Sequence, residues 1–150
     1  MAAASKQHSV PVEYLFTMTA ALLPVQAIQD GPQGTRVIIG VTGGTFTGPK
    51  LRGTIELPAG EWATARPDGT VKADVRLSLR TDDGALILMT YQGIARPQAD
   101  GTLAIRTAPL FETGDARYAW LNTIQAVGYG TASADPAALT SVSYEVYALQ

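Results

Sequence analysis

The chain has no cysteine. That absence removes disulfides, thiolate metal ligands and cysteine nucleophiles together, and it fits a reducing compartment. Histidine is nearly missing as well. The one histidine, His8, falls in a polar segment without periodicity, where an imidazole lacks the partners that fix its tautomer. One histidine and no cysteine exclude most transition-metal sites, and the expectation is a protein without metal or cofactor. Long apolar runs are also absent. The longest, Ala85 to Met89, is of strand length and far short of the ~20 residues a membrane helix needs. No basic start followed by an apolar run marks a secretory signal, so a cytoplasmic location is expected. The net charge of −2 lacks the basic excess that meets phosphates, and no nucleic-acid partner is expected. Lysine is scarce, with Lys6, Lys50 and Lys72 against eight arginines. Such a bias points to arginines held in networks or facing an anionic ligand, or simply to GC-rich codon usage.

What is present is a core-forming chain. Its 150 residues are 46% hydrophobic, which suits one domain over 12–150 behind a flexible tail at 1–11. Val12 to Leu23 reads as a bulged strand, and Pro24 to Gly34 as a loop. Thr35 to Thr42 is a second strand, broken at Gly43-Gly44 by a bulge signal. Leu51 to Leu57 follows, then a turn at Pro58 to Gly60 and a short piece, Trp62 to Ala65, whose Trp62 could seal one end. Pro67-Asp68-Gly69 is a hairpin signal. The clearest strand comes next, Thr70 to Thr81. Val71, Ala73, Val75, Leu77 and Leu79 share one face, and Lys72, Asp74, Arg76, Ser78 and Arg80 share the other. Asp82-Asp83-Gly84 turns it into Ala85 to Ala95. Thr102 to Thr107 extends past Pro109 towards Glu112. Asp115 caps a short helical turn near 115–121, and strands Thr123 to Gly130 and Ser141 to Leu149 close the chain.

About eight to ten strands with turns roughly every ten residues predict an all-β protein. The economical arrangement is an antiparallel up-and-down β-barrel, because closure removes exposed edges. The familiar catalytic motifs are missing: there is no nucleophile elbow, phosphate loop or dinucleotide fingerprint. Carboxylates, arginines and aromatics remain. On the pattern alone the apolar face of Thr70 to Thr81 meets the core and Asp74 and Arg76 meet solvent. The opposite orientation would place both in a barrel cavity, where desolvated charges are usually functional. Arg52 beside Gly53 and Arg106 beside a proline bulge are anion-binding candidates or ordinary surface charges. Glu112, with Asp115 and Tyr118, rims a barrel mouth or caps the helical turn. Tyr91 and Trp120 stack on a ring substrate or belong to the core.

Several segments together resemble a known family. They are Arg36-Val37-Ile38, Thr42-Gly43-Gly44, Gly48-Pro49 with Leu51-Arg52-Gly53, Arg66-Pro67-Asp68-Gly69, Asp74 with Arg76, and Arg80-Thr81-Asp82-Asp83-Gly84. Arg106-Thr107-Ala108-Pro109, Phe111-Glu112 and Tyr118-Ala119-Trp120-Leu121-Asn122 complete the set. The chain is similar through them to the family catalogued as domain of unknown function 3237, or uncharacterised protein family 0311. The segment Ala132 to Thr140 reads as a local insertion. The resemblance implies a lipocalin-like barrel that assembles as a homo-oligomer, a dimer or tetramer. It also favours the inward orientation of Asp74 and Arg76.

The expected function is a cofactor-independent isomerase or cyclase of secondary metabolism. It would act on a small aromatic or polyketide-like molecule, for example by adding a hydroxyl to an alkene within one molecule. Asp74 first, and Glu112 second, would supply the acid or base. Arg52, Arg76 and Arg106 would hold an oxygen anion, and Tyr91, Trp120 and Asn122 would contact the ring substrate. A small-molecule carrier or sensor without turnover, and a structural partner that forms oligomers, are the alternatives.

Overall fold

A computed structural model describes residues 8–150. Residues 1–7 of the expected tail lie outside the described residues, and His8 to Pro11 are exposed and carry no strand. Ten strands follow: β1 (Val12–Leu22), β2 (Gln26–Gly31), β3 (Gly34–Thr47), β4 (Arg52–Ala65), β5 (Val71–Thr81), β6 (Leu86–Pro97), β7 (Thr102–Thr107), β8 (Leu110–Glu112), β9 (Ala126–Ser133) and β10 (Ser141–Leu149). The sheet runs β1-β10-β9-β7-β6-β5-β4-β3, all antiparallel, and β3 returns to pair with β1. Eight strands thus close an all-β barrel, as expected. Strand β2 lies outside the closed circuit, on the edge of β3, and β8 continues the line of β7 beside β6 after a break at Ala108-Pro109. No helix among the described residues is long and apolar enough to cross a membrane.

Closure depends on β3 changing partners along one edge. Its residues Arg36 to Ile38 pair with β2, and Val41 to Thr47 pair with β1. The register to β4 slips between Gly40 and Gly44, so the bulge expected at Gly43-Gly44 marks the seam. Gly44 has φ +151°, and a Cβ there would lie 2.1 Å from the Thr19 carbonyl oxygen. Only glycine lets β1 approach this closely.

The interior is graded by side-chain size. At one end Phe16 packs tilted against Phe46 and edge-on against Phe111, with centroids 5.5 and 6.0 Å apart. Leu51, Ile87 and Met89 fill the space around them. The expected helical turn is a 3-10 helix, Ala116–Thr123, whose Asp115 cap accepts the Arg117 N–H; its Leu121 is fully buried against this end. At the other end alanines, among them Ala20, Ala63, Ala73 and Ala95, alternate with branched aliphatic residues.

Several elements differ from the sequence expectation. Strand β3 runs on past the expected break at Gly43-Gly44 to Thr47, and β9 starts at Ala126 because the 3-10 helix takes Thr123. The loop expected over Pro24 to Gly34 contains β2, since an edge strand needs only one partner and Gln26–Gly31 carries no apolar alternation to signal it. The turn expected at Pro58 to Gly60 does not end a strand. Strand β4 runs through it, absorbing Leu57 and Pro58 as a bulge between the pairs Glu56–Ser78 and Ala59–Leu77. Trp62 accordingly stands on the outer face, 41% exposed, and seals no barrel end.

Gly44→Ala should lower stability to urea by about 3 kcal/mol, because the added methyl meets backbone at a strained φ. Gly114→Ala, where a Cβ meets nothing within 4 Å, should change it by less than about 0.5 kcal/mol.

Candidate functional site

The small side chains leave a cavity of about 250 Å³ in the wider half of the barrel. Its walls are mostly Ala, Val, Ile and Leu. Its mouth is framed by Val25, Gly69, Pro97 and the β9–β10 connection, which contributes Ala134, Pro136 and Leu139. Backbone hydrogen bonds hold that connection in place, from Ala134 N–H to the Gly101 carbonyl at 2.9 Å and from Leu22 N–H to the Thr140 carbonyl at 2.9 Å. The Ala132 to Thr140 segment thus forms part of the cavity rim.

Three polar side chains enter this space: Glu61, Tyr91 and Tyr144. Their placement follows from strand register. Glu61 on β4 and Tyr91 on β6 both pair with Val75 on β5, so the two flank an inward-facing valine in one row across the sheet. Tyr144 on β10 meets Tyr91 edge-on, with ring centroids 5.5 Å apart. Its ring lies over Gly130 of β9, its register partner, where a Cβ would sit 2.4 Å from the ring. Glycine at 130 is the vacancy that the tyrosine fills.

Desolvation sets the protonation states. Burial, and then the nearby Asp74 carboxylate, push the Glu61 carboxyl up from 4.5 to about 7. Burial likewise raises both phenols well above their usual range, helped by Tyr144 and Glu61 at Tyr91 and by Glu61 at Tyr144. Near neutral pH the cavity therefore offers one carboxyl that can give or take a proton and two neutral phenols. Among the described residues no cation lines it, and no group of three His, Asp or Glu side chains is placed to hold a metal ion.

Of the residues singled out in the sequence, Tyr91 lines the cavity. The expected inward orientation of Asp74 and Arg76 is corrected. Both stand on the outer face of β5, because Ala73, Val75 and Leu77 take the inward positions. Asp74 is half-buried in a shallow outer depression with Trp62, Lys72 and Gln92. Arg52 is exposed at the filled end, 3.5 Å from Asp82. Arg106 is exposed on β7, its guanidinium 4.2 Å from the centre of the Tyr129 ring. Glu112 is exposed on β8 at the filled end. Trp120 packs against the core there, with the Lys50 ammonium 5.3 Å above its ring. Asn122 clamps the backbone of Thr113, donating to its carbonyl at 2.9 Å and accepting its N–H at 2.8 Å.

Glu61 and Tyr144 were not singled out, yet a signal exists for each. Ala59, Glu61, Ala63 and Ala65 alternate with outward residues, as do Val142, Tyr144, Val146 and Ala148. A carboxyl in an alternating row of alanines is a buried-acid pattern once the strand is read through Pro58.

Comparison with known proteins agrees with the fold. A family model described as "Protein of unknown function (DUF3237)" matches residues 10–149. A UPF0311 protein of Rhodopseudomonas palustris is 29% identical over 141 residues, covering 85% of this chain and 92% of that protein. The "Hydroalkoxylation enzyme phnH" of Penicillium herquei is 31% identical over 117 residues, covering 78% of this chain and 72% of the enzyme. The crystal structure of a β-barrel-like protein from Acinetobacter baumannii AYE superposes with a TM-score of 0.85 at 28% identity, covering 98% of this chain and all of the other.

The raised Glu61 pKa carries a sign for stability. The folded barrel disfavours the ionised form, so stability is intact below about 4.5 and falls as pH rises through about 7. Glu61→Gln should remove that fall. The variant should match the parent near pH 4 and exceed it at pH 8 by up to ~3 kcal/mol in urea denaturation. Parallel curves for the two proteins across this range would show that Glu61 titrates normally.

Proposed function

The chain belongs to the DUF3237 family, and from that premise we propose that it is an acid/base enzyme that closes an oxygen ring. Its substrate is a compact, uncharged, ring-bearing molecule with a hydroxyl and a nearby carbon–carbon double bond. The observation that carries this reading is Glu61, a carboxyl poised near neutrality in an apolar cavity beside two neutral phenols.

The chemistry balances without a second reactant. Protonated Glu61 delivers its proton to one alkene carbon while the substrate hydroxyl oxygen bonds to the other. The π bond breaks, the C–O bond forms, and the hydroxyl proton returns to the Glu61 carboxylate. The product is an isomer of the substrate. A carboxyl near pH 7 suits both halves of this exchange, since each needs a proton to move readily in one direction. Tyr91 and Tyr144 donate hydrogen bonds to the substrate oxygen and orient it. The apolar walls hold the chain folded towards the oxygen, which converts a chance encounter into a preset one. The absence of cations from the lining among the described residues is what selects an uncharged substrate.

The relative in Penicillium herquei is named for the same reaction class, which supports the reading. The predominantly apolar lining favours a second reading, a carrier that binds a hydrophobic molecule without converting it.

A panel of compact phenols bearing a neighbouring alkenyl chain separates the two. Incubation should yield a product of unchanged mass with the alkene consumed. Glu61→Gln should cut turnover by at least about 100-fold while binding by calorimetry persists. The rate of the parent should decline as pH rises through about 7, as the proton donor ionises. Ligands that bind both proteins and return unchanged support the carrier.

A further inference from the structure

The outer wall formed by β1, β10, β9 and β7 carries aromatic rings where a solvated barrel would carry charge. Tyr14 and Tyr147 lie edge-on at 5.7 Å, Tyr147 and Tyr129 at 6.4 Å, and the Arg106 guanidinium caps Tyr129. The rings continue into Val12 and Leu149, and Tyr129 is 54% exposed. Contiguous exposed apolar surface of this kind marks an interaction site.

The charges on this wall identify the occupant. Tyr129 pairs with Arg106 on one side and with Glu145 on the other. All three point outward in one row across three strands, so the strands that carry the cation and the anion lie about 4.8 Å either side of that of the tyrosine. Neither charge has an ion-pair partner among the described residues. The Glu145 carboxylate accepts only the Tyr147 hydroxyl, at 2.7 Å, and Arg106 donates only to the carbonyl of Ile105. A row reading positive, aromatic, negative is its own complement under a two-fold rotation. A two-fold axis lying between the facing walls, parallel to β9 and over Tyr129, sets Arg106 of one copy opposite Glu145 of the other.

We propose that this wall is a two-fold interface between copies of the chain, centred on Tyr129 and closed by two reciprocal Arg106–Glu145 ion pairs. An isologous contact needs this self-complementarity, and a face that recruited a different partner would not. The aromatic rings supply the buried centre and the charge pairs set register and exclude slipped pairings. The inference does not depend on what the cavity binds, because none of these residues lines it.

Charge reversal tests it. Sedimentation equilibrium should give the parent chain twice its monomer mass at micromolar concentration. Arg106→Glu alone, or Glu145→Arg alone, sets like charges face to face and should raise the dissociation constant at least tenfold. The double reversal, Arg106→Glu with Glu145→Arg, should restore the dimer, which mere damage to the surface would not do. Both residues are exposed, so circular dichroism should show the fold unchanged in all three variants. A monomeric parent chain overturns the proposal. So does a dimer indifferent to the single reversals, or a double variant that fails to recover.

Discussion

The seam between β1 and β3 is the constraint on which the rest depends. An antiparallel sheet left open exposes two edges of unpaired backbone and has no inside. This one closes because β3 leaves β2 after Ile38 and takes β1 from Val41 onward. The exchange requires the backbone of Gly44 to lie against Thr19 with no side chain between them. Closure turns alternating strands into walls with a dry interior. Only then does a carboxyl on the inner side of β4 feel burial rather than water. The near-neutral protonation of Glu61 is thus a property of the seam as much as of the residue.

Closure alone would give a filled core. What makes a cavity is the grading of side chains along the barrel axis. Phenylalanines and long aliphatic residues fill the end sealed by the 3-10 helix, and alanines are concentrated in the end that opens. A packed interior tolerates few voids, so space persists only where side chains are too short to meet across it. The polar groups sit within this small-residue half. The cavity therefore combines room for a ligand with a carboxyl whose ionisation is disfavoured, and both follow from which inward positions hold alanine.

Much of this was legible in the chain. The strict alternation of Val71 to Leu79 marked β5, the Gly-containing turns marked its ends, and Gly43-Gly44 marked the bulge. The same alternation also gave the right orientation for Asp74 and Arg76, with the apolar face inward. The family resemblance pulled against it, since charged positions that recur in a motif invite a functional reading, and here they lie on the outer wall. Glu61 was hidden by its neighbours. Pro58 and Gly60 look like the end of a strand, and a residue beyond a strand end has no assigned face. Strand β4 absorbs Pro58 in a two-residue bulge, which preserves parity, so the face of Ile55 continues to Glu61. Bulges of this kind depend on the neighbouring strands and leave little local trace. Part of the arginine excess sits in networks: Arg80 with Glu56 and Arg117 with Asp83 and Asp115 are ion-paired, and Arg36 is tied to Trp62 and Thr64, whereas Arg66, Arg76, Arg96 and Arg106 form no ion pair among the described residues.

The period of two lets a single strand serve two ends. On β10, Tyr144 points into the cavity while Glu145 and Tyr147 point out. On β9, Gly130 lies under the Tyr144 ring while its neighbour Tyr129 stands on the outer wall. The proposed pairing of copies would therefore press on the wall directly behind Tyr144 without entering the cavity. Its axis lies along the lateral surface, whereas the mouth opens between hairpin ends at Gly69, Pro97 and Pro136. Assembly would stiffen the strands that carry one of the two phenols and leave ligand entry free. A wall one strand thick couples its two faces through backbone alone, and the register of β9 against β10 is the element they share.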